Sequence, residues 1–323
     1  MYLIFIVVLS VAMMLIVLCH RIYVHFTKAR FEKRKDQWRD YYASDNFVGN
    51  QDAIYEKLKQ VKQLVVFEAV IQELKNMDSQ ADKVRLNDFT SSIYPVWVAS
   101  GKSYLKRPLI YQAYFAYISC LLPFHQVNHD TKSLEAILLK IVAQDSAYCQ
   151  NYAFNTLNKI GNADTVIQAL KVLNNSKGIP LNTKLISSSL LSFTGDFDLL
   201  FEKIISSDNV FNTHYRVALV DFAKLIDSPD FSNILLPYLK NKDENVDITC
   251  AILRYYAKVH VDEAYPYILK WADTSDVREW ACAGVATSTL AHYPGPATID
   301  QLKNNIFSRE WYIRRNASIA LSE

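Results

Sequence analysis

The sequence predicts an all-α protein, an N-terminal transmembrane helix followed by an α-solenoid of helix pairs, and three observations carry that reading. Glycine is scarce (7 in 323 residues) while Tyr (20) and Phe (16) are frequent, which suits helices joined by short loops better than glycine-turned sheets. Residues 2–19 form one apolar run in which Ser10 is the only polar side chain. Beyond residue 133, helical patterns recur in pairs at a nearly constant spacing. Half of all residues are hydrophobic, enough for a sizeable core.

The first element is the anchor, YLIFIVVLSVAMMLIVLC over residues 2–19. At about 1.5 Å per residue it spans roughly 27 Å, close to the ~30 Å hydrocarbon core of a bilayer. No basic segment precedes it, no A-x-A-like site follows it, and Val17 and Leu18 are too large for lipoprotein-type cleavage, so it is expected to stay in place. Arg21, Lys28, Arg30, Lys33, Arg34, Lys35 and Arg39 follow the run, and no charged side chain precedes it. The positive-inside rule then predicts a single-pass protein of the cell membrane, N-terminus outside and body in the cytoplasm.

Residues 20–50 form a basic and aromatic juxtamembrane segment and linker. Seven basic residues against Glu32, Asp36 and Asp40 give residues 21–40 a net +4; the chain total is +2, so the remainder carries −2. Ile22, Tyr23, Phe26, Phe31, Trp38, Tyr41 and Tyr42 are interleaved with these charges. The mix fits an interfacial helix among anionic headgroups, or equally a helix continuing into the cytoplasm with a solvated basic face. A short basic patch backed by a slightly acidic body argues against nucleic-acid binding. The segment closes with ASDNFVGN (43–50), whose Asn, Asp and Gly supply turn chemistry.

Residues 51–132 read as an N-terminal helical region of degenerate repeats. Ile54, Leu58, Val61, Leu64, Phe67, Ile71 and Leu74 recur at three- and four-residue steps and predict one helix over about 51–77. Pro95, Gly101 and nearby serines predict turns within 78–103. A strongly apolar helix then runs from Tyr104 to Leu122 and ends at Pro123. Gln112 inside it, with Lys102, Lys106 and Arg107 just before, marks a buried helix rather than a second membrane span.

From 133 to 323 the pairs are 133–143 with 146–160, 163–174 with 183–194, 197–206 with 211–226, 230–240 with 245–259, 262–272 with 276–291, and 297–306 with 309–321. With SDVREWACAG (275–284) as template, the register residues are 150, 184, 216, 247, 278 and 314, separated by 34, 32, 31, 31 and 36. Arg216, Arg278 and Arg314 hold the long polar position, Asp247 departs from it, and Lys184 matches weakly. A solenoid end requires a polar outer face, so either the last helix is itself the cap or, as its lack of a polar closing face favours, the pattern is expected to continue past Glu323.

Asp276-Val277-Arg278 followed by Ala281, and Trp311-Tyr312-Ile313-Arg314 followed by Asn316-Ala317, resemble HEAT-type repeats of the short bacterial variety. The resemblance covers about 133–323. It implies an armadillo-type helical fold in which an Asp near the turn and an Arg in the second helix bond across the repeat, assigning stacking roles to Asp276, Arg278, Arg314 and Arg216. It also implies a protein partner, since similar anchored proteins work beside membrane glycosyltransferases in envelope assembly. The tetratricopeptide pattern, the rival at a similar period, is not met.

Reactive motifs are missing from the sequence: no P-loop, GxGxxG, HExxH, GxSxG or EF-hand loop. The five cysteines, Cys19, Cys120, Cys149, Cys250 and Cys282, contain no CxxC pair and read as small apolar residues of a reducing compartment, with Cys19 at the membrane boundary. His125 and His129 lie in a loop after Pro123, and His214, His260 and His292 fall near helix ends, where the dipole accounts for them. No metal, cofactor or catalytic residue is expected. Trp271, Trp280 and Trp311 recur near the repeat turns and suit either a partner-binding ridge or inter-repeat packing. The expectation is a tethered interaction scaffold. The alternative is a HEAT-like enzyme of the lyase or nucleic-acid glycosylase kind, which would need a tetrapyrrole pocket or a basic groove.

Overall fold

The protein is described from a computed structural model covering residues 2–43, 51–76, 79–126, 130–176, 178–207, 210–241, 245–273 and 280–322, with the side chains of 2–12 outside the description. Seventeen α-helices lie among these residues, with a few short 3-10 turns and no strand. The chain divides into two compact units, residues 1–137 and 138–323.

The first unit contains α1 (Tyr2–Ala43), α2 (Gln51–Leu58), α3 (Val61–Lys75), α4 (Gln80–Tyr104) and α5 (Leu109–Leu121). α1 is one unbroken helix of 42 residues, about 63 Å long. Among the described residues no helix is long and apolar enough to cross a membrane. Most of the expected anchor, residues 2–12, lies outside the described side chains.

The last turns of α1 enter a core of rings. Trp38 is 1 % exposed and meets Phe67 edge-on at 4.8 Å, and Tyr42 is buried beside Phe89. Trp97 stacks on Phe115 at 4.9 Å and Tyr104 on the same ring at 5.4 Å. α1 packs on α3, α3 on α5, and α2 on α4. The interfacial reading therefore fails for Trp38 and Tyr42, whose rings are spent on this core.

Three boundaries differ from the sequence expectation here. The helix read over 51–77 is broken after Leu58, whose carbonyl accepts the Tyr104 hydroxyl at 3.0 Å. The stretch read as turns, 78–103, is instead the 25-residue α4, started by Ser79, whose side chain accepts from the Asp82 amide. Pro95 sits inside it, and the nearby Thr90 and Ser92 hydroxyls bond back to Leu86 and Asp88 within the helix. Gly101 is there because a Cβ would lie 2.8 Å from the Phe115 ring, not because the chain turns. The following helix starts at Leu109, after a turn capped by Pro108, rather than at Tyr104.

α6 (Lys132–Val142) precedes the helices of the second unit. These are α7 (Ala147–Ile160), α8 (Ala163–Asn174), α9 (Thr183–Leu190), α10 (Phe197–Ser206), α11 (Thr213–Ile226), α12 (Ser232–Lys240), α13 (Val246–Tyr256), α14 (Tyr265–Ala272), α15 (Trp280–Thr289), α16 (Pro296–Asn305) and α17 (Trp311–Ser322). Asn162, Asn182, Asp196, Asn212 and Asn245 each cap a helix start, the side-chain oxygen accepting an otherwise unpaired backbone N–H. The odd-numbered helices form one row, α7 on α9, then α11, α13, α15 and α17, while α8 packs on α10 and α14 on α16 in the other. This consecutive packing is that of an α-solenoid.

Side chains reaching one repeat back to main-chain carbonyls tie both rows together. Trp271 Nε1 donates to Leu239 O at 2.8 Å, Asn305 Nδ2 to Ala272 O at 3.0 Å, and Asn316 Nδ2 to Gly284 O at 2.8 Å, with sequence separations of 32 or 33. At the end of α7, Gly161 adopts φ +82°, and a Cβ there would lie 2.8 Å from the Gly195 amide nitrogen. Only glycine permits both the left-handed turn and that approach of two backbones.

Candidate interaction surfaces

Of the residues given stacking roles, Arg216 and Arg314 fall at one structural position, the fourth of their helices, but they do two different jobs. Arg314 Nη1 donates to the Ser308 and Arg309 carbonyls at 2.8 and 2.7 Å, locking the turn before its own helix. Gln150 reaches Gln144 O at 3.2 Å in the same way, six residues back, and Gln112 in α5 reaches Arg107 O at 2.8 Å. Arg216 instead lays its guanidinium over the Tyr238 ring at 4.6 Å and so joins α11 to α12 of the next pair. Asp276 and Arg278 lie outside the described residues.

Lys184 and Asp247 are second residues of their helices, so the sequence register is displaced by two in α9 and α13. The true fourth residues, Ile186 and Thr249, are buried. With no long polar side chain at that position, the nearest charged residue captured the alignment.

The basic residues of α1 separate into two groups. Lys35 and Arg39 both pair with Glu73 on α3, Arg39 Nη2 at 2.8 Å, and Arg39 also bonds Asp36. Hydrogen bonding from Lys35, then from Arg39, holds the Glu73 carboxyl below the usual carboxylate range, against the opposing pull of burial. These two residues fasten α1 to its unit. Arg21, Lys28, Arg30 and Lys33 are exposed and Arg34 is half-buried. Towards the N-terminus α1 exposes Met13 to Leu18, with Met14 at 75 %.

In the second unit the three tryptophans do not act together. Trp271 is 5 % exposed, with its indole N–H spent on Leu239, and belongs to the core rather than to a ridge. Trp280 and Trp311 are exposed, at 44 % and 56 %. Tyr312 joins them, near-parallel to Trp280 at 6.3 Å and edge-on to Trp311 at 4.9 Å, and the Arg315 guanidinium lies 5.8 Å above Trp311. Tyr312 and Arg315 were missed in the sequence, although the offset of four between Arg315 and Trp311 puts them within reach of each other on a helix. Exposed, mutually supported rings beside a guanidinium resemble the composition of interface centres.

A narrow apolar cleft lies between α10, α11, α12 and α13. Leu219, Leu235, Ile248 and Ile252 line its buried part, and Ile234, Tyr238 and Arg216 its half-buried part. Its enclosed space is small, about 20 Å³.

Two of the described histidines have defined partners. His214 Nε2 donates to Leu181 O at 2.7 Å, and His260 stacks on Tyr293 at 4.3 Å while contacting Asp262. His125 lies in a short 3-10 turn, and His129 is outside the described residues. Among the described residues no group of three or more His, Cys, Asp and Glu is arranged to hold a metal. Cys120, Cys149, Cys250 and Cys282 are buried, as small apolar residues would be, and Cys19 is exposed. Cys250 and Cys282 meet at 3.7 Å, a pairing whose signal in the sequence is a separation of 32, one repeat. The hydrogen bond with Cys282 lowers the Cys250 thiol pKa, against burial, which raises it. No family model, curated protein or solved structure matches this chain.

Proposed function

We propose that the chain is a membrane-tethered interaction scaffold, a HEAT-like solenoid held at the cytoplasmic face of the cell membrane by the single span at residues 2–19. The observation that carries the reading is α1 itself. One end is fastened into a core through Trp38, Tyr42 and the Glu73 pairs, while Met13 to Leu18 are left exposed to the surroundings. A contiguous apolar helix surface of that kind is costly in water and is satisfied by hydrocarbon. Arg21, Lys28, Arg30 and Lys33 then stand where anionic headgroups and cytoplasm meet.

The Trp280, Trp311 and Tyr312 ridge supplies the docking surface, and tethering raises its effective concentration beside a membrane partner. The resemblance to anchored bacterial HEAT proteins suggests a membrane glycosyltransferase or another enzyme of envelope assembly as that partner.

Extraction of membranes with alkaline carbonate tests the tether. Full-length protein is expected to stay in the pellet, and a variant lacking residues 1–27 to be released while remaining helical. Truncation through residue 42 would be uninformative, because it also removes Trp38 and Tyr42 from the core. Release of the full-length chain by carbonate would overturn the reading.

A further inference from the structure

We infer that Cys250 and Cys282 are a peroxide-reactive pair whose oxidation to a disulfide staples α13 to α15. The inference goes beyond the scaffold reading and rests on neither the tether nor the tryptophan ridge.

The repeat places the pair. The two residues are 32 apart, one repeat, and the packing of α13 on α15 brings them to one seam. Their sulfurs meet at 3.7 Å, and Cys282 Sγ also lies 3.8 Å from the carbonyl oxygen of Val246, at the start of α13. Two contacts therefore hold the Cys282 sulfur against the neighbouring helix. A disulfide needs its sulfurs at about 2.05 Å. The remaining approach is of the size that side-chain rotation and small shifts of packed helices supply.

Burial selects the oxidant. Cys250 is 6 % exposed and Cys282 1 %. Exchange with a bulky disulfide needs an open line of attack on the sulfur, whereas hydrogen peroxide is close to water in size.

The same contact assigns the order of events. The hydrogen bond with Cys282 lowers the Cys250 thiol pKa, against burial, and Arg254 adds to the lowering while Asp247 opposes it. The thiolate is the nucleophile. Cys250, the more exposed of the two, attacks one peroxide oxygen; the O–O bond breaks, leaving a sulfenic acid and a hydroxide that takes up the proton Cys250 had released. Cys282 Sγ then attacks the sulfenic sulfur. The S–S bond forms, the S–O bond breaks, and the departing hydroxide takes the Cys282 proton. Two thiols have lost two electrons and two protons, and one peroxide has become two waters.

The test uses the full-length chain, purified reduced in detergent and treated with hydrogen peroxide. Remaining thiols are blocked with N-ethylmaleimide, and the chain is digested without reduction for mass spectrometry. A peptide pair joining residues 250 and 282 is expected to accumulate with peroxide and to vanish when the digest is reduced. Glutathione disulfide at the same concentration is expected to give it at least tenfold more slowly. Hydrogen exchange in the oxidised chain should slow at least threefold in α13 and α15 and stay unchanged in α7 to α9. Cys282→Ser keeps a hydrogen-bond donor but cannot close the bond, so a dimedone adduct should trap the sulfenic acid on Cys250. In Cys250→Ser, Cys282 should take up little dimedone.

No peptide pair in the folded chain, a pair formed only in urea, or scrambled pairing with Cys120 or Cys149 would overturn the inference. Equal rates with both oxidants, unchanged exchange in α13 and α15, or equal dimedone labelling of the two serine variants would do the same. The first three readouts use the unaltered chain, so misfolding of a variant does not shield the inference.

Discussion

The two units are built from helices alone yet are held together by different means. In the first, five aromatic rings, Trp38, Phe67, Trp97, Tyr104 and Phe115, meet at centroid distances from 4.8 to 5.6 Å, drawing α1, α3, α4 and α5 onto one cluster. In the second, side chains one repeat apart bond to carbonyls, as Trp271, Asn305 and Asn316 do. A ring cluster has a centre, and damage there reaches every helix that touches it. A ladder has no centre, and damage should stay near the seam where it occurs.

The most damaging change expected is Trp97→Ala. The side chain is fully buried, stacks on Phe115 and donates its indole N–H to Ser119 Oγ at 2.9 Å. Its loss should cost about 4 kcal/mol, read as an earlier first transition in urea. The second unit should be unaffected.

Alkali should loosen both units, because buried tyrosines lie in each. Burial pushes the hydroxyl pKa of Tyr104 in the first unit, and of Tyr215 and Tyr256 in the second, up to about 12. Their neutral forms are therefore favoured by folding. That contribution is complete below the unfolded tyrosine pKa near 10 and is lost as pH rises from there through about 12. Each ring should account for about 2 kcal/mol, so thermal unfolding followed from pH 9 to 12 should show a fall in both units.

Asn305→Ala tests the ladder. Asn305 is fully buried and donates to Ala272 O and to Thr287 Oγ1, at 3.0 and 2.8 Å. Losing both bonds should cost about 1.5 kcal/mol. Hydrogen exchange should rise at α14 to α16 and stay unchanged at α7 to α11. Loosening of the whole unit would mean that it does not behave as a ladder.

The unequal legibility of the sequence follows from the same contrast. In the second unit the helix pairs were readable because each boundary is local, an Asn or Asp cap or a short polar break. Among the described residues the register slipped where α9 and α13 replace the long polar fourth residue with Ile186 and Thr249. In the first unit Pro95 and Gly101 looked like chain breakers, but ring packing across α4 and α5 overrides their local preference. The fate of Trp38 was equally hidden, since an aromatic residue among basic ones reads the same whether it meets a membrane or Phe67. Of the three tryptophans that suited either a ridge or inter-repeat packing, Trp280 and Trp311 are exposed. Trp271 was not separable from them until its indole was seen bonded to Leu239.

The smallest effect on folding is expected at that ridge. Trp280→Ala and Trp311→Ala remove exposed rings and should shift stability by no more than about 0.5 kcal/mol each. A larger loss measured in urea would return both residues to a packing role and leave the scaffold without its docking surface.

The most direct test of the scaffold is crosslinking in intact membranes followed by affinity purification. Four tagged chains would be compared: the full-length chain, the variant lacking residues 1–27, and the Trp280→Ala and Trp311→Ala variants. The account predicts one specific membrane enzyme recovered with the full-length chain, reduced severalfold by truncation and by either tryptophan change. Recovery of no membrane protein by the full-length chain, or equal recovery by all four, would contradict it.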